Sequence, residues 1–95
     1  MTTVFIKHRV ADYGAWKVEY DRVHGGPLGA ACRTWRIWRG QDDPNLVFIE
    51  ETYDSRELAE ATLNHPDLPA EIANAGVDLS SIRIDYMDEV DSGTH

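Results

Sequence analysis

Four histidines, an adjacent pair of glutamates and several aromatic side chains are the residues of this chain with chemistry to offer. His8 falls in the run Val4-Phe5-Ile6-Lys7-His8-Arg9-Val10, where alternation puts Val4, Ile6, His8 and Val10 on one strand face. An imidazole on an apolar face is either a hydrogen-bonded core group or an acid–base catalyst, because histidine both takes and gives a proton near neutral pH. Desolvation among Val4 and Ile6 predicts a lowered pKa, which keeps His8 a free base. His24 follows Tyr20 by one helical turn and Trp16 by two, so the three share one helix face. On that face Trp16 is a candidate wall of a ligand site, and Tyr20 and His24 are candidate partners in proton transfer. The alternative for His24 is a helix-terminal histidine favoured by the helix dipole. His65 precedes a proline at a helix break, either on a site rim or in solvent. His95 lies in the tail and is given no role.

Glu50 and Glu51 are neighbours, so on a strand they point to opposite faces and one of them is a candidate buried carboxylate. Arg33, Arg36 and Arg39 are the expected ion-pair partners, with Arg36 also a candidate to hold a substrate carboxylate or enolate. Tyr86 is a candidate donor to a developing oxyanion. Trp16, Tyr20, Trp35, Trp38, Tyr53 and Tyr86 suit either a core, an interface or a cavity for a flat apolar ligand. The single Cys32 has no intramolecular disulfide partner and reads as a buried inert thiol. No metal is expected, since His8, His24 and His65 lack a close ligand pair such as HxxxH. No cofactor is expected either. Gly25-Gly26-Pro27 is neither a phosphate loop nor a dinucleotide fingerprint, and Ser80-Ser81 reads as a loop rather than a nucleophile elbow.

The elements that must position these residues follow from hydrophobic periodicity and from turn residues. Thr3–Val10 is the first strand, and Asp12 caps a helix from Tyr13 to His24 that Gly25-Gly26-Pro27 ends. Ala31–Arg39 and Leu46–Tyr53 form a hairpin around the turn cluster Gly40–Asn45. Asp54 or Ser55 caps a second helix with Leu58, Ala61 and Thr62 inward; His65-Pro66 breaks it, and a short helix follows from Asp67 to Ala75. Ile82–Val90 is the fourth strand, and residues 91–95 form a loose tail. Two βαβ-like halves predict one α+β domain over residues 1–95, a four-stranded antiparallel sheet with both helices on one face. Strands two and three are apolar on both faces, so the face without helices should be covered by a second copy, which predicts a homodimer.

Composition narrows the function classes. Ninety-five residues make one domain with a limited core. The formal net charge of −8 disfavours nucleic acid and anionic membrane surfaces, which both need a cationic partner. No apolar stretch has the roughly 20 residues of a membrane span, and the N-terminus lacks a secretion-signal pattern. The expected location is therefore the cytoplasm.

The stretch Lys7-His8-Arg9-Val10-Ala11-Asp12-Tyr13 followed by Ala15-Trp16-Lys17 resembles the opening of small bacterial proteins in the dimeric α/β-barrel superfamily, of the cyclase-like and antibiotic-biosynthesis-monooxygenase-like kind. Asp42-Asp43-Pro44-Asn45, His65-Pro66-Asp67-Leu68 and Ala75-Gly76-Val77 extend the likeness over nearly the whole chain. The resemblance implies a ferredoxin-like βαββαβ fold pairing into a dimeric barrel. Its motifs are caps, turns and helix ends, so they specify fold rather than chemistry. Haem-degrading members carry an asparagine, a tryptophan and an axial histidine where this chain has His8, Thr62 and Ala73; none matches, so haem degradation is not expected. The same correspondence places His8 at the pocket between sheet and helices, and Thr62 is a further candidate substrate contact. Three function classes follow: a cofactor-free enzyme using histidine acid–base chemistry on a polyketide-like or aromatic substrate, cyclase in type; a cofactor-independent monooxygenase; or a non-catalytic binder of a small apolar or aromatic molecule.

Overall fold

The computed structural model describes the whole chain from Met1 to His95. Alternating apolar and polar residues build four strands, β1 (Thr2–Arg9), β2 (Thr34–Arg39), β3 (Leu46–Tyr53) and β4 (Arg83–Met87). Helix α1 (Tyr13–His24) joins β1 to β2, and α2 (Arg56–Leu63) with α3 (Leu68–Asn74) joins β3 to β4. The sheet runs in the order β2-β3-β1-β4, and every neighbouring pair is antiparallel. This is the expected α+β ferredoxin-like arrangement, with β1 inside the sheet. No helix is long and apolar enough to cross a membrane.

Local chemistry sets the element ends. The Asp12 carboxylate accepts a hydrogen bond from the Gly14 amide at 2.9 Å and starts α1. The Ser55 hydroxyl accepts from the Leu58 amide at 3.2 Å and starts α2. Gly76, at a φ of 78°, takes the left-handed conformation that turns the chain out of α3 and into Val77, which bridges Val10.

β1 and α3 shift by one residue at their ends, and two strand ends and one helix face differ more from expectation. Strand β2 begins at Thr34 rather than Ala31, because Pro27–Gly29 coils into a 3-10 turn and the chain straightens only afterwards. Strand β4 stops at Met87 rather than Val90, because Met87 pairs with Thr3 and β1 has almost no chain left beyond that register. The inner face of α2 is Ala59, Thr62 and Leu63 rather than Leu58 and Ala61. Small Ala59 is fully buried and lets the helix lie close to the sheet, while Leu58 and Ala61 are exposed.

The helices cover the face carrying Val4, Ile6 and His8 of β1 and Val47, Ile49, Glu51 and Tyr53 of β3, all buried. The other face carries Phe5, Trp38, Phe48 and Met87 and has no helix over it. Trp38 pairs with Phe48, and the Phe5 and Phe48 rings lie 5.5 Å apart. Trp38 and Met87 are about half exposed there. The two-sided apolar character of the hairpin is thus a property of the folded chain.

Candidate functional site

A partly open cavity of about 170 Å³ lies between the helix-covered sheet face and the three helices. Its lining is mostly apolar, with Ile6, Ile49, Leu63, Ile72 and Val77 among the walls. It is slightly larger than the roughly 150 Å³ apolar cavity that holds one benzene molecule, which sets the ligand scale at one or two fused rings. Polar groups gather at two poles. His8 stands opposite Val47, and Glu51 stands opposite Val4 on the neighbouring strand. Four residues of strand separate those positions, about 13 Å.

At the first pole His8 is 5% exposed, and its Nδ1 is buried without a hydrogen-bond partner. Its ring meets Trp16 edge-on at 5.5 Å. Burial pushes the imidazole pKa below its ordinary 6.5, so the free base is the resting form at neutral pH. The structure makes His8 neutral, desolvated and unpartnered within an apolar wall.

At the second pole Glu51, 4% exposed, accepts two phenol hydrogen bonds. Tyr20 donates to Oε2 at 2.6 Å and Tyr53 to Oε1 at 2.8 Å. Burial first, and then the Glu51 charge, push both phenol pKa values well above the usual tyrosine range. Both tyrosines therefore keep their protons and act as donors. The His24 ring stacks on Tyr20 at 5.0 Å and meets the edge of Trp35 at 4.5 Å. His24 Nε2 is buried 3.7 Å from Glu51 Oε2, too far for a hydrogen bond. Trp16, Tyr20 and His24 form a continuous stack along α1, with Trp16 and Tyr20 5.0 Å apart.

The structure brings His8, Trp16, Tyr20, His24 and Thr62 to the cavity and leaves the other three candidates outside it. Arg36 is on the opposite sheet face, because it pairs with Glu50; its Nε lies 3.9 Å from that carboxylate. His65 caps the turn into α3, its Nδ1 accepting from the Asp67 amide at 3.1 Å. Tyr86 shares the helix-covered face, opposite Val4, but its ring lies under the Arg56 guanidinium at 4.3 Å, away from the cavity. The expected arginine pairing falls to Glu50, and no arginine reaches Glu51. Arg33 pairs with Asp54, Arg36 lies near Glu50, and Arg39 stacks on Tyr13 at 3.9 Å. Phenols take their place at Glu51. Cys32 likewise joins this pole rather than sitting alone in the core. Its Sγ, His24 Nε2 and a Glu51 oxygen all lie within 4.8 Å of one another. Burial and the nearby carboxylate push the thiol pKa up to about 11. The sequence signal for Glu51 was its phase: Val47, Ile49, Glu51 and Tyr53 alternate onto one face.

No family model matches the chain, and no curated protein matches it in sequence. Solved structures do match in shape. Rv0793 from Mycobacterium tuberculosis superposes with a TM-score of 0.70 at 16% identity, over 98% of each chain. The cofactor-independent oxygenase SnoaB from Streptomyces nogalater superposes with a TM-score of 0.76 at 8% identity, over 96% of this chain and 94% of its own. An antibiotic biosynthesis monooxygenase superposes with a TM-score of 0.69 at 14% identity, over 96% of this chain and 100% of its own. At such identities the likeness is one of fold: the chain has the ferredoxin-like α+β fold of these proteins, over nearly all of its length.

Proposed function

We propose that this protein is a cofactor-independent oxygenase of small hydroxyarenes, with His8 as its base. One observation carries the reading: a buried, unpartnered imidazole with a lowered pKa in an apolar cavity of one- to two-ring size. Its shape likeness to SnoaB, a cofactor-independent oxygenase, supports oxygen chemistry over cyclisation as the outcome of the same first step.

The reaction is written for a phenol with a free para C–H. His8 takes the phenol proton, and the phenolate gives one electron to dioxygen. The resulting radical and superoxide couple to form a C–O bond at the para carbon. The peroxide takes back the proton held by His8. Loss of the para C–H proton then breaks the O–O bond and expels hydroxide, which leaves as water with that proton. One hydroxyarene and one dioxygen give one quinone and one water. The protein supplies a desolvated base, an apolar cage for the radical pair, and the Trp16–Tyr20–His24 stack as the facing wall. A cyclase would use the same base on an enolisable chain, and a binding protein would use only the cavity.

The working unit in this reading is a homodimer joined through the Phe5–Trp38–Phe48 face, in a protein that acts as one domain in the cytoplasm. An oxygen electrode and product mass test the function with 1-naphthol as probe. Oxygen consumed in a one-to-one ratio with naphthoquinone formed is the expected result. Bound but unchanged naphthol would leave a binding protein, and turnover of enolisable ketones without oxygen uptake would leave a cyclase. Either would refute the oxygenase reading.

A further inference from the structure

The second pole of the cavity contains more than a wall. Three side chains from three separate parts of the chain converge there: His24 from the last residue of α1, Cys32 from the loop before β2, and Glu51 from β3. They offer an imidazole nitrogen, a thiol sulfur and a carboxylate oxygen, the donor types that bind zinc. Their spacing suits a shared ion better than direct bonding. His24 Nε2 and Glu51 Oε2 stand 3.7 Å apart, beyond a hydrogen bond, yet near the roughly 3.4 Å that separates two ligands of a tetrahedral zinc at ordinary bond lengths. The Cys32 sulfur is within 4.8 Å of both, so closing on an ion takes a shift of about 1 Å.

Burial sharpens the case. His24 Nε2 is shut off from solvent without a partner, an unusual state for a buried nitrogen. Its ring is held from two sides by Tyr20 and Trp35, so little freedom is lost on ligation. Glu51 is oriented by two phenols, one on each oxygen, which leaves lone pairs free and supplies the outer hydrogen bonds that metal-binding carboxylates use. The loop is shaped for the convergence. Gly29 packs so tightly on the end of α1 that a Cβ there would lie 2.1 Å from the His24 carbonyl oxygen. That close approach folds the 3-10 turn back on α1 and returns Cys32 to His24.

We propose that His24, Cys32 and Glu51 form a binding site for a zinc-class divalent ion, with a fourth coordination position open toward the cavity that His24 and Glu51 line. The thiol gives up its hydrogen bond to the Thr34 carbonyl, and its proton passes to solvent as the thiolate binds. The open position suits water or an anionic ligand oxygen. The site lies at the pole remote from His8, and the oxygenase reading does not depend on it.

Cobalt(II) added to the reduced full-length protein, without substrate, tests the site. Because Cys32 is the only cysteine, any thiolate-to-cobalt charge-transfer band reports on it alone. The expected result is one cobalt per chain, a near-ultraviolet thiolate band with the intense visible bands of four-coordination, displacement by zinc, and slowed alkylation of Cys32 by iodoacetamide when zinc is bound. Cys32→Ser should abolish the thiolate band, and His24→Ala should weaken cobalt binding at least about tenfold. Circular dichroism checks that both variants are folded, and if either is not, the wild-type spectrum and the alkylation rate decide. Absence of the thiolate band at stoichiometric cobalt, or equal binding by folded His24→Ala, would overturn the proposal.

Discussion

Replacing Tyr53 by phenylalanine removes one oxygen atom and tests the second pole of the cavity. Tyr53 is 1% exposed and Glu51 4% exposed, so water cannot readily replace the lost donor. The 2.8 Å bond to Glu51 Oε1 is a hydrogen bond to a carboxylate, of a kind worth about 1.5–3 kcal/mol. Tyr53→Phe should therefore destabilise the fold by about that amount, and each kcal/mol should lower Tm by about 4–8 °C in a domain of this size. Tyr20→Phe loses the partner bond to Oε2 at a more accessible position, so its cost should be smaller. In a Glu51→Leu background the order reverses: the phenols are then the unpaired groups, and Tyr53→Phe should be neutral or stabilising. Urea unfolding at neutral pH of the wild type, both single variants and the double variant closes the cycle. The expected coupling between Tyr53 and Glu51 is about 1–3 kcal/mol. A coupling below about 0.5 kcal/mol would refute the claim that the phenols hold the carboxylate.

Three further outcomes follow from other parts of the molecule. His8 has a folded-state pKa below its ordinary 6.5, so the unfolded chain binds the extra proton first. Its contribution is complete above about pH 6.5 and is lost as pH falls toward the folded value, at up to about 1.4 kcal/mol per pH unit. Urea unfolding of wild type and His8→Leu at about pH 7.5 and about pH 5 should show that loss in the wild type and a flatter profile in the variant. Gly29→Ala drives a methyl into the His24 carbonyl at 2.1 Å and should cost about 1–3 kcal/mol or more in a thermal melt, with the loop as the first segment to lose amide protection. Trp38→Glu places a charge on the open sheet face beside Phe48; if the proposed dimer joins there, sedimentation should show a wild-type dimer and a monomeric variant, and a wild-type monomer or an unchanged variant dimer would refute that interface.

The fold was legible because strands and caps follow from local pattern. Strand β3 and helix α1 have their expected ends, fixed by the hairpin turn and by Asp12. What local pattern did not carry was register and reach. Strand β4 stops where β1 runs out of partner residues, and this depends on the pairing of Met87 with Thr3, 84 residues away in sequence order. Helix α2 turns Ala59 inward rather than Leu58, because close packing on the sheet selected the small side chain over the more apolar one. At the site, alternation and helical spacing placed His8, Trp16, Tyr20 and His24 on inward faces. Arg36 lies near Glu50 as its charge suggested, but the same register puts it on the sheet face away from the cavity, which spacing of charges alone does not reveal. Glu51 was seen as a candidate buried carboxylate, but its phenol partners come from α1 and from its own strand, a convergence that spacing alone does not reveal. Cys32 is the clearest gap: its approach to His24 depends on the tight Gly29 turn.

Labelled dioxygen distinguishes His8 as the base of an oxygen-consuming reaction from His8 as a core side chain. Wild type and His8→Asn, both shown to be folded, are supplied with 1-naphthol under oxygen-18 gas, and the quinone is analysed by mass. The expected result is one labelled oxygen in the quinone formed by the wild type, and a rate about two to four orders of magnitude lower for His8→Asn. Unlabelled quinone, or labelled quinone formed equally fast by the variant, would contradict it.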